Sequence, residues 1–312
     1  MIISASRRTD IPAFFCEWFI NRLKEGFVYV RNPRNPNHIA KVALNTDVVD
    51  CIVFWTKNPK PMLNKLETID KMGYPYYFQF TITPYGQHVE KGLPGKSEIL
   101  ETFKKLSDKI GKHRFVWRYD PVIASKEFSV EYHLDAFSKM CNILGDYTNN
   151  CIFSFIDLYK NVQKSTKGIV DYEVNNLEMN RFALGFFQIA KTHNLVLETC
   201  AESIDLSPCG VLHASCIDLN RIENIIGYPL HGKKDPNQRP ACSCIESIDI
   251  GAYDSCSHSC AYCYATTSEN MVRRNMHLHD PQSPMLVGHP RGDEILTSRQ
   301  MKSLKVMQSL LF

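Results

Sequence analysis

The run CSHSCAYC places Cys256, Cys260 and Cys263 at spacings of four and three residues, with Tyr262 directly before the last thiol. That spacing lets one short loop wrap three sulfurs around an inorganic centre. A structural zinc takes four protein ligands, and His258, inside the same loop, is an awkward fourth donor to the same ion. A cubane iron–sulfur cluster needs four iron ligands, usually thiolates. Three thiolates leave one iron free for another molecule.

Five further cysteines, Cys200, Cys209, Cys216, Cys242 and Cys244, lie just upstream. In a reducing compartment, clustered thiols read as metal ligands rather than disulfides. Cys242 and Cys244 are too close for a zinc-knuckle CxxC but can reach different irons of one cluster. Cys200, Cys216, Cys242 and Cys244 are therefore the expected ligands of a second iron–sulfur cluster. Zinc is the other candidate occupant, and Cys209, in a turn between Pro208 and Gly210, is the alternative member. Cys16, Cys51, Cys141 and Cys151 are scattered and expected as small buried side chains.

The scaffold for these thiols is a strand–helix repeat. Short apolar runs at 2–5, 51–55, 76–81, 114–119, 151–156 and 195–199 read as strands. Amphipathic stretches at 12–24, 62–71, 97–110, 131–144 and 176–191 separate them, several ending at a glycine. A pair at 27–30 and 38–42 reads as a hairpin, and 248–250 as a seventh core strand. The expected fold class is α/β, a full or partial β/α barrel, with an open doubly wound sheet as the alternative. Residues 1–200 form the barrel body and 201–246 a cysteine-rich insertion. Residues 247–312 carry the final strand, the cysteine loop and a C-terminal helix over 301–312.

In such folds the ligand site lies at the C-terminal ends of the strands. The first strand runs into Ser4, Ser6, Arg7, Arg8, Thr9 and Asp10, and the second into Lys57 and Asn58. The third presents Gln79 and Thr81 opposite in phase to Phe78 and Phe80, and the fourth ends in Arg118 and Asp120. The fifth leads to Asp157 and Tyr159, and the sixth to Glu198, Cys200 and Glu202. Asp10 precedes a helix with Pro12 in its first turn, so it suits an N-cap as well as a ligand contact. Arg118 and Asp120 either pair with each other or contact a bound molecule. His258, Asp157 and Tyr159 are candidates for acid–base work without an assigned pair. His213, His231, Lys233, Lys234 and Arg239 give the insertion a basic character, compatible with an acidic substrate or a reduced electron carrier. Arg273, Arg274, His277 and His279 offer a possible phosphate contact.

A net charge of +3 argues for neither nucleic acid nor an anionic membrane. The sequence has no 18-residue apolar run and no secretory leader pattern at its start, so a cytoplasmic protein is expected.

CSHSCAYC resembles the CxxxCxxC pattern of radical S-adenosylmethionine enzymes, over eight residues. Most of the chain also resembles the family named domain of unknown function 1848, through SRRTDIP and the C-terminal cysteine loop. The first resemblance implies a [4Fe-4S] cluster held by Cys256, Cys260 and Cys263, with S-adenosylmethionine bound through its amine and carboxylate to the fourth iron. It implies electrons from flavodoxin or ferredoxin, formation of a 5′-deoxyadenosyl radical, and hydrogen abstraction from a small-molecule or peptide substrate. In that superfamily the cluster loop follows the first strand, whereas here it follows the last expected one, so a circularly permuted barrel is implied. Ser4, Ser6, Arg7 and Arg8 then occupy the strand end that holds the methionine, although no glycine–glycine–acid motif is present there. A basic side chain would meet the carboxylate, Asp10 or Asp120 the ammonium or ribose, and Tyr262 the adenine. Two other functions fit the cysteines: a zinc-stabilised binding or regulatory protein, and an iron–sulfur electron-transfer protein.

Overall fold

Segments such as CIVFWT and YYFQFT are almost continuously apolar, which suits strands buried on both faces of a parallel sheet. The computed structural model, which describes residues 1–306, bears this out. Its strands are β1 (Ile2–Ala5), β2 (Phe27–Arg31), β3 (His38–Ala43), β4 (Cys51–Thr56), β5 (Tyr76–Thr81), β6 (Phe115–Val122), β7 (Asn150–Phe155), β8 (Val196–Thr199), β9 (Leu212–His213), β10 (Ser247–Asp249) and β11 (Ile295–Ser298). Eight of them form one sheet in the order β10-β1-β4-β5-β6-β7-β8-β9, with every neighbouring pair parallel. β2, β3 and β11 make a second, three-stranded sheet, in which the expected hairpin pairs antiparallel. The last core strand lies beside the first, with Ile2 opposite Ser247 and Ser4 opposite Asp249.

The helices are α1 (Ile11–Phe14), α2 (Cys16–Glu25), α3 (Leu66–Lys71), α4 (Lys96–Ile110), α5 (Val130–Leu144), α6 (Lys160–Ser165), α7 (Asn176–Thr192), α8 (Leu219–Ile226) and α9 (Glu269–His277). The single helix expected over 12–24 is divided, because Phe15 leaves helical geometry (φ −131°, ψ 21°) and buries its ring in the core. The helix expected over 301–312 is not present in residues 301–306, and 307–312 lie outside the described residues. Here the backbone pairs with other segments instead of with itself: His231 donates to the Leu304 carbonyl at 2.7 Å and Val306 donates to Pro229 at 3.1 Å. No helix among the described residues is long and apolar enough to cross a membrane.

Alternation along the strands gives the sheet two different faces. Phe54, Phe78, Phe80, Trp117 and Phe153 join the core formed with α2, α4, α5 and α7. Val53, Tyr77, Val116 and Ile152 point the other way, where they meet Ala214, Cys216, Ile217, Cys242 and Cys244 from the cysteine-rich insertion. The insertion is thus folded onto the sheet as the cover of its second face. Cys51, Cys141 and Cys151 are buried, and burial pushes all three thiols up, the Cys141 thiol to about 12. They are core residues, as expected.

One buried histidine sets a pH dependence. His133, fully buried on α5, donates from Nε2 to the Ile123 carbonyl and accepts the Tyr119 hydroxyl at Nδ1, both at 2.8 Å. Burial lowers its pKa from 6.5 to about 4. Between those values only the unfolded chain takes up the proton, so stability present above pH 6.5 drains away as the pH falls towards 4. The loss is about 3 kcal/mol in total. Urea unfolding at pH 7 and pH 4.5 should show this slope in the wild type and a shallower one in His133→Gln.

Candidate functional site

The C-terminal ends of β1, β4, β6 and β7 face the 256–263 loop and the 237–244 segment across a cavity of about 440 Å³. That volume falls within the roughly 300–1,000 Å³ of small-molecule sites. Cys256, Cys260 and Cys263 line it, and so do Cys200, Cys216, Cys242 and Cys244. Residues from the two ends of the chain and from the insertion therefore share one chamber. Cys209 is not among its lining residues. Its Sγ lies 3.4 Å from Asn180 Oδ1, and it packs against the helix-face core.

The cysteine loop is tied down from two sides. On one side, Asp10 accepts from Ala13 N (2.9 Å) and Thr56 Oγ1 (2.8 Å) at Oδ1, and from Lys57 N (2.7 Å) and His258 Nε2 (2.8 Å) at Oδ2. It is both the N-cap of α1 and the anchor of the loop, and its lone pairs are filled. On the other side, Gly92 N donates to His258 O and Ala261 N to Val89 O, each at 2.8 Å. Glu90, also buried, accepts from Lys57 Nζ (2.8 Å), Lys96 Nζ (2.5 Å), Thr83 Oγ1 (2.7 Å) and the Tyr262 hydroxyl. Burial alone would raise the Glu90 carboxyl, but Lys57 and Lys96 outweigh it and hold its pKa at about 2. Burial lowers Lys57, and the charge of Glu90 more than restores it. The two ammonium groups exceed the one carboxylate, leaving a partly buried positive charge beside Cys260.

Gly92 permits this docking. A Cβ there would stand 2.3 Å from Ser257 O and 2.9 Å from His258 O, both backbone atoms. Gly92→Ala should push the loop off the strand ends at a cost of about 1–3 kcal/mol. Amide hydrogen exchange across residues 256–263 is expected to quicken about tenfold while the protein stays folded by circular dichroism. Unchanged exchange would show that the loop does not need this contact.

A second polar knot joins β10 to β1. Asp249 Oδ1 accepts from Ser6 Oγ (2.5 Å), Arg8 Nε (3.0 Å) and Gly251 N (3.0 Å), and Oδ2 accepts from Ser4 Oγ (3.1 Å) and Arg7 N (2.8 Å). Burial opposes the charge on Asp249, yet Arg8, Ser6 and the amides hold its pKa below the usual carboxylate range. Of the candidate cofactor contacts, Ser6, Arg7, Arg8, Arg118, Asp120 and Tyr262 line the cavity. Ser4 does not: it is fully buried behind it, bonded to Asp249 and accepting from Trp55 Nε1 at 3.1 Å.

Arg118 and Asp120 do pair with each other, and Ser154 donates to the other oxygen of Asp120. Arg118 also points Nη1 at Cys216 Sγ, 2.8 Å away. Gln79 reaches into the same face, as its strand phase predicts, and donates to Cys216 O at 2.8 Å beside the Tyr77 hydroxyl at 2.6 Å. The guanidinium carbons of Arg7 and Arg118 lie 4.9 and 5.4 Å from the centre of the Trp55 ring.

Asp157 and Tyr159 also line the cavity, at its exposed edge. Asp157 is bound by Arg239, and Tyr159 is largely exposed at the rim. Glu202 accepts from Phe155 N at 2.9 Å and lines a smaller pocket of about 180 Å³, where burial raises its pKa to about 7. His213, His231, Lys233, Lys234, Arg273, Arg274, His277 and His279 are not among the cavity residues, whereas Arg239 is.

Three atoms on cavity-lining residues, Arg7 Nη2, Thr9 Oγ1 and His258 Nδ1, are buried without a hydrogen-bond partner. Such groups are rare in native proteins, where an ordered water or a bound molecule completes the bonding. Among the described residues, no three or more His, Cys, Asp or Glu side chains converge as the shell of a single metal ion. The cysteines share a chamber, not a point.

Neither a curated protein nor a solved structure matches the chain. A family model does, over residues 2–265, which includes both knots and all seven cavity cysteines. The chain belongs to the family described as Domain of unknown function (DUF1848).

Proposed function

We propose that the protein is a radical S-adenosylmethionine enzyme built on a circularly permuted, full or partial β/α barrel. The observation that carries this reading is the trio Cys256, Cys260 and Cys263 on one loop, facing a half-open cavity with orphaned polar atoms around it. The parallel β10–β1 pairing supports the permuted order, since it sets the cysteine loop beside the end of the first strand. When bound, a [4Fe-4S] cluster with S-adenosylmethionine on its fourth iron supplies reductive cleavage to a 5′-deoxyadenosyl radical and abstraction of hydrogen from the substrate.

The chain's own residues bind, orient and exclude water. Cys256, Cys260 and Cys263 would hold the cluster, and the surplus positive charge of Lys57 and Lys96 over Glu90 offsets their negative charge. Burial raises the Cys256 and Cys260 thiols, the latter to about 12, so the free thiols stay protonated until metal takes the proton's place. The unpartnered Arg7 Nη2 suits the methionine carboxylate. Thr9 Oγ1 and His258 Nδ1 are free to bond the polar groups of the same ligand. Tyr262, its hydroxyl fixed by Glu90, presents its ring towards the adenine. Reduced flavodoxin or ferredoxin is the proposed electron donor, and the substrate is a small molecule or peptide.

Anaerobic reconstitution of the wild type and of a Cys256/Cys260/Cys263 triple alanine variant tests this. With dithionite and S-adenosylmethionine, the wild type should form 5′-deoxyadenosine and the variant should form none. Colourless wild-type protein containing only zinc would overturn the reading in favour of a zinc-stabilised binding protein. An intact cluster that yields no 5′-deoxyadenosine would leave an electron-transfer protein.

A further inference from the structure

We infer that Cys200, Cys216, Cys242 and Cys244 hold a second iron–sulfur cluster, ligated wholly by protein, in the wall of the same cavity. The inference rests on these side chains and not on the reaction proposed above. All four thiols open onto the cavity. Cys200 Sγ lies 3.1 Å from Cys216 Sγ, and Cys242 and Cys244 line the same wall of the cavity. A disulfide is excluded at 3.1 Å, since that bond is about 2.05 Å long.

The spacing of Cys242 and Cys244 favours a cluster over a single ion. Thiolates on zinc must converge on one point at about 2.3 Å, which two cysteines with a single residue between them reach less readily. A cluster offers several irons, so ligands from separate segments can each reach one. Cys242 and Cys244, one residue apart, suit neighbouring irons for that reason. The cavity supplies the space for such a group.

Charge and hydrogen bonding on the protein side agree. Arg118 Nη1 lies 2.8 Å from Cys216 Sγ, so a guanidinium donor already stands against one of the four sulfurs. Arg7, the second guanidinium over Trp55, acts on Cys244 and Cys216. Arg118 shares its charge with Asp120, and Arg7 beside it leaves one further guanidinium against which an anionic four-thiolate cluster can be set. Rigid support is also present: Gln79 and Tyr77 fix the Cys216 carbonyl, and Ile217 N donates to Cys244 Sγ at 3.3 Å. Cys209, held by Asn180 outside the cavity, is not a ligand.

The test is metal content of the full chain after anaerobic reconstitution with ferrous iron and sulfide. The Cys256/Cys260/Cys263 triple alanine variant is expected to keep about four irons and four sulfides per chain, with a broad absorbance near about 400 nm. Adding alanine at Cys200, Cys216, Cys242 and Cys244 should remove that iron, and Cys209→Ser should leave it unchanged. Should the triple variant fail to fold, the single Cys263→Ala variant replaces it. Should the larger one fail, Cys242→Ser replaces it, with the electron paramagnetic resonance of the reduced second centre as the readout. Less than one iron per chain in the triple variant, zinc in place of iron, or iron loss in Cys209→Ser would overturn the assignment. None of these outcomes depends on whether the wild type forms 5′-deoxyadenosine.

Discussion

Glu90→Gln is expected to destabilise the protein by about 3–5 kcal/mol, the usual result of removing one partner from a buried ion group. It is also expected to abolish iron retention by the 256–263 loop. The carboxylate is 1% exposed and is shared by Lys57, Lys96, Thr83 and Tyr262. Glutamine leaves two partly buried ammonium groups facing a neutral amide, which has one accepting oxygen where the carboxylate has two. The loop then loses the charge-assisted anchor of Tyr262. A combined Glu90→Gln, Lys96→Met variant removes one stranded charge and should recover about half of the lost stability. It should not recover the iron, because the charge-assisted Tyr262 tie is still missing. Urea unfolding and iron analysis on the same preparations separate the two effects. A change below about 1 kcal/mol with full iron would show that the network is incidental.

Asp249→Asn should be the second large effect, at about 2–4 kcal/mol, because a partly buried carboxylate loses its charge while its donors remain. All five donors to Asp249 point N–H or O–H groups at it, and an amide nitrogen can accept from none of them. Since the knot positions Arg7 and Arg8 at the cavity wall, binding of S-adenosylmethionine should weaken at least tenfold. Equilibrium unfolding and anaerobic binding titration check the two parts. Unchanged midpoints and affinity would sink the idea that Asp249 organises the first strand end.

The core strands were legible because each is a short apolar run whose burial on both faces is written in its composition. β1 and β5 fall where the runs predict, and the others within a few residues. The insertion was less legible. α8 spans only two turns, and the face beside it is completed by thiols rather than by a long apolar stripe, so its periodicity had little length in which to show. The cysteines of both sets were visible from their spacing alone. Glu90 and Asp249 were not, for different reasons. Glu90 sits in the irregular segment GQHVEKG, where no strand or helix phase points it inward. Asp249 ends a three-residue strand, and its role exists only through the register that sets it opposite Ser4. Ion pairs between Lys57 and Glu90, 33 positions apart, and between Arg8 and Asp249, 241 apart, leave no local pattern. Asp10 shows the opposite case, since its cap position was readable while its grip on His258 was not.

The pairing of Ser4 with Asp249 across 245 positions also sets a timetable for synthesis. A ribosome adding about 5–20 residues per second needs roughly 12–50 s to travel that distance. Throughout that interval β1 can gain β4 on one flank but has no partner for the other, and Asp10, Glu90 and Gly92 wait for a loop that has not been made. The open flank is the natural point for mispairing in the nascent chain. On the function proposed above, metal delivery to the 256–263 loop follows this closure. Slower production at lower temperature, with iron supplied late, should therefore improve the yield of loaded protein more than a larger iron supply at the start.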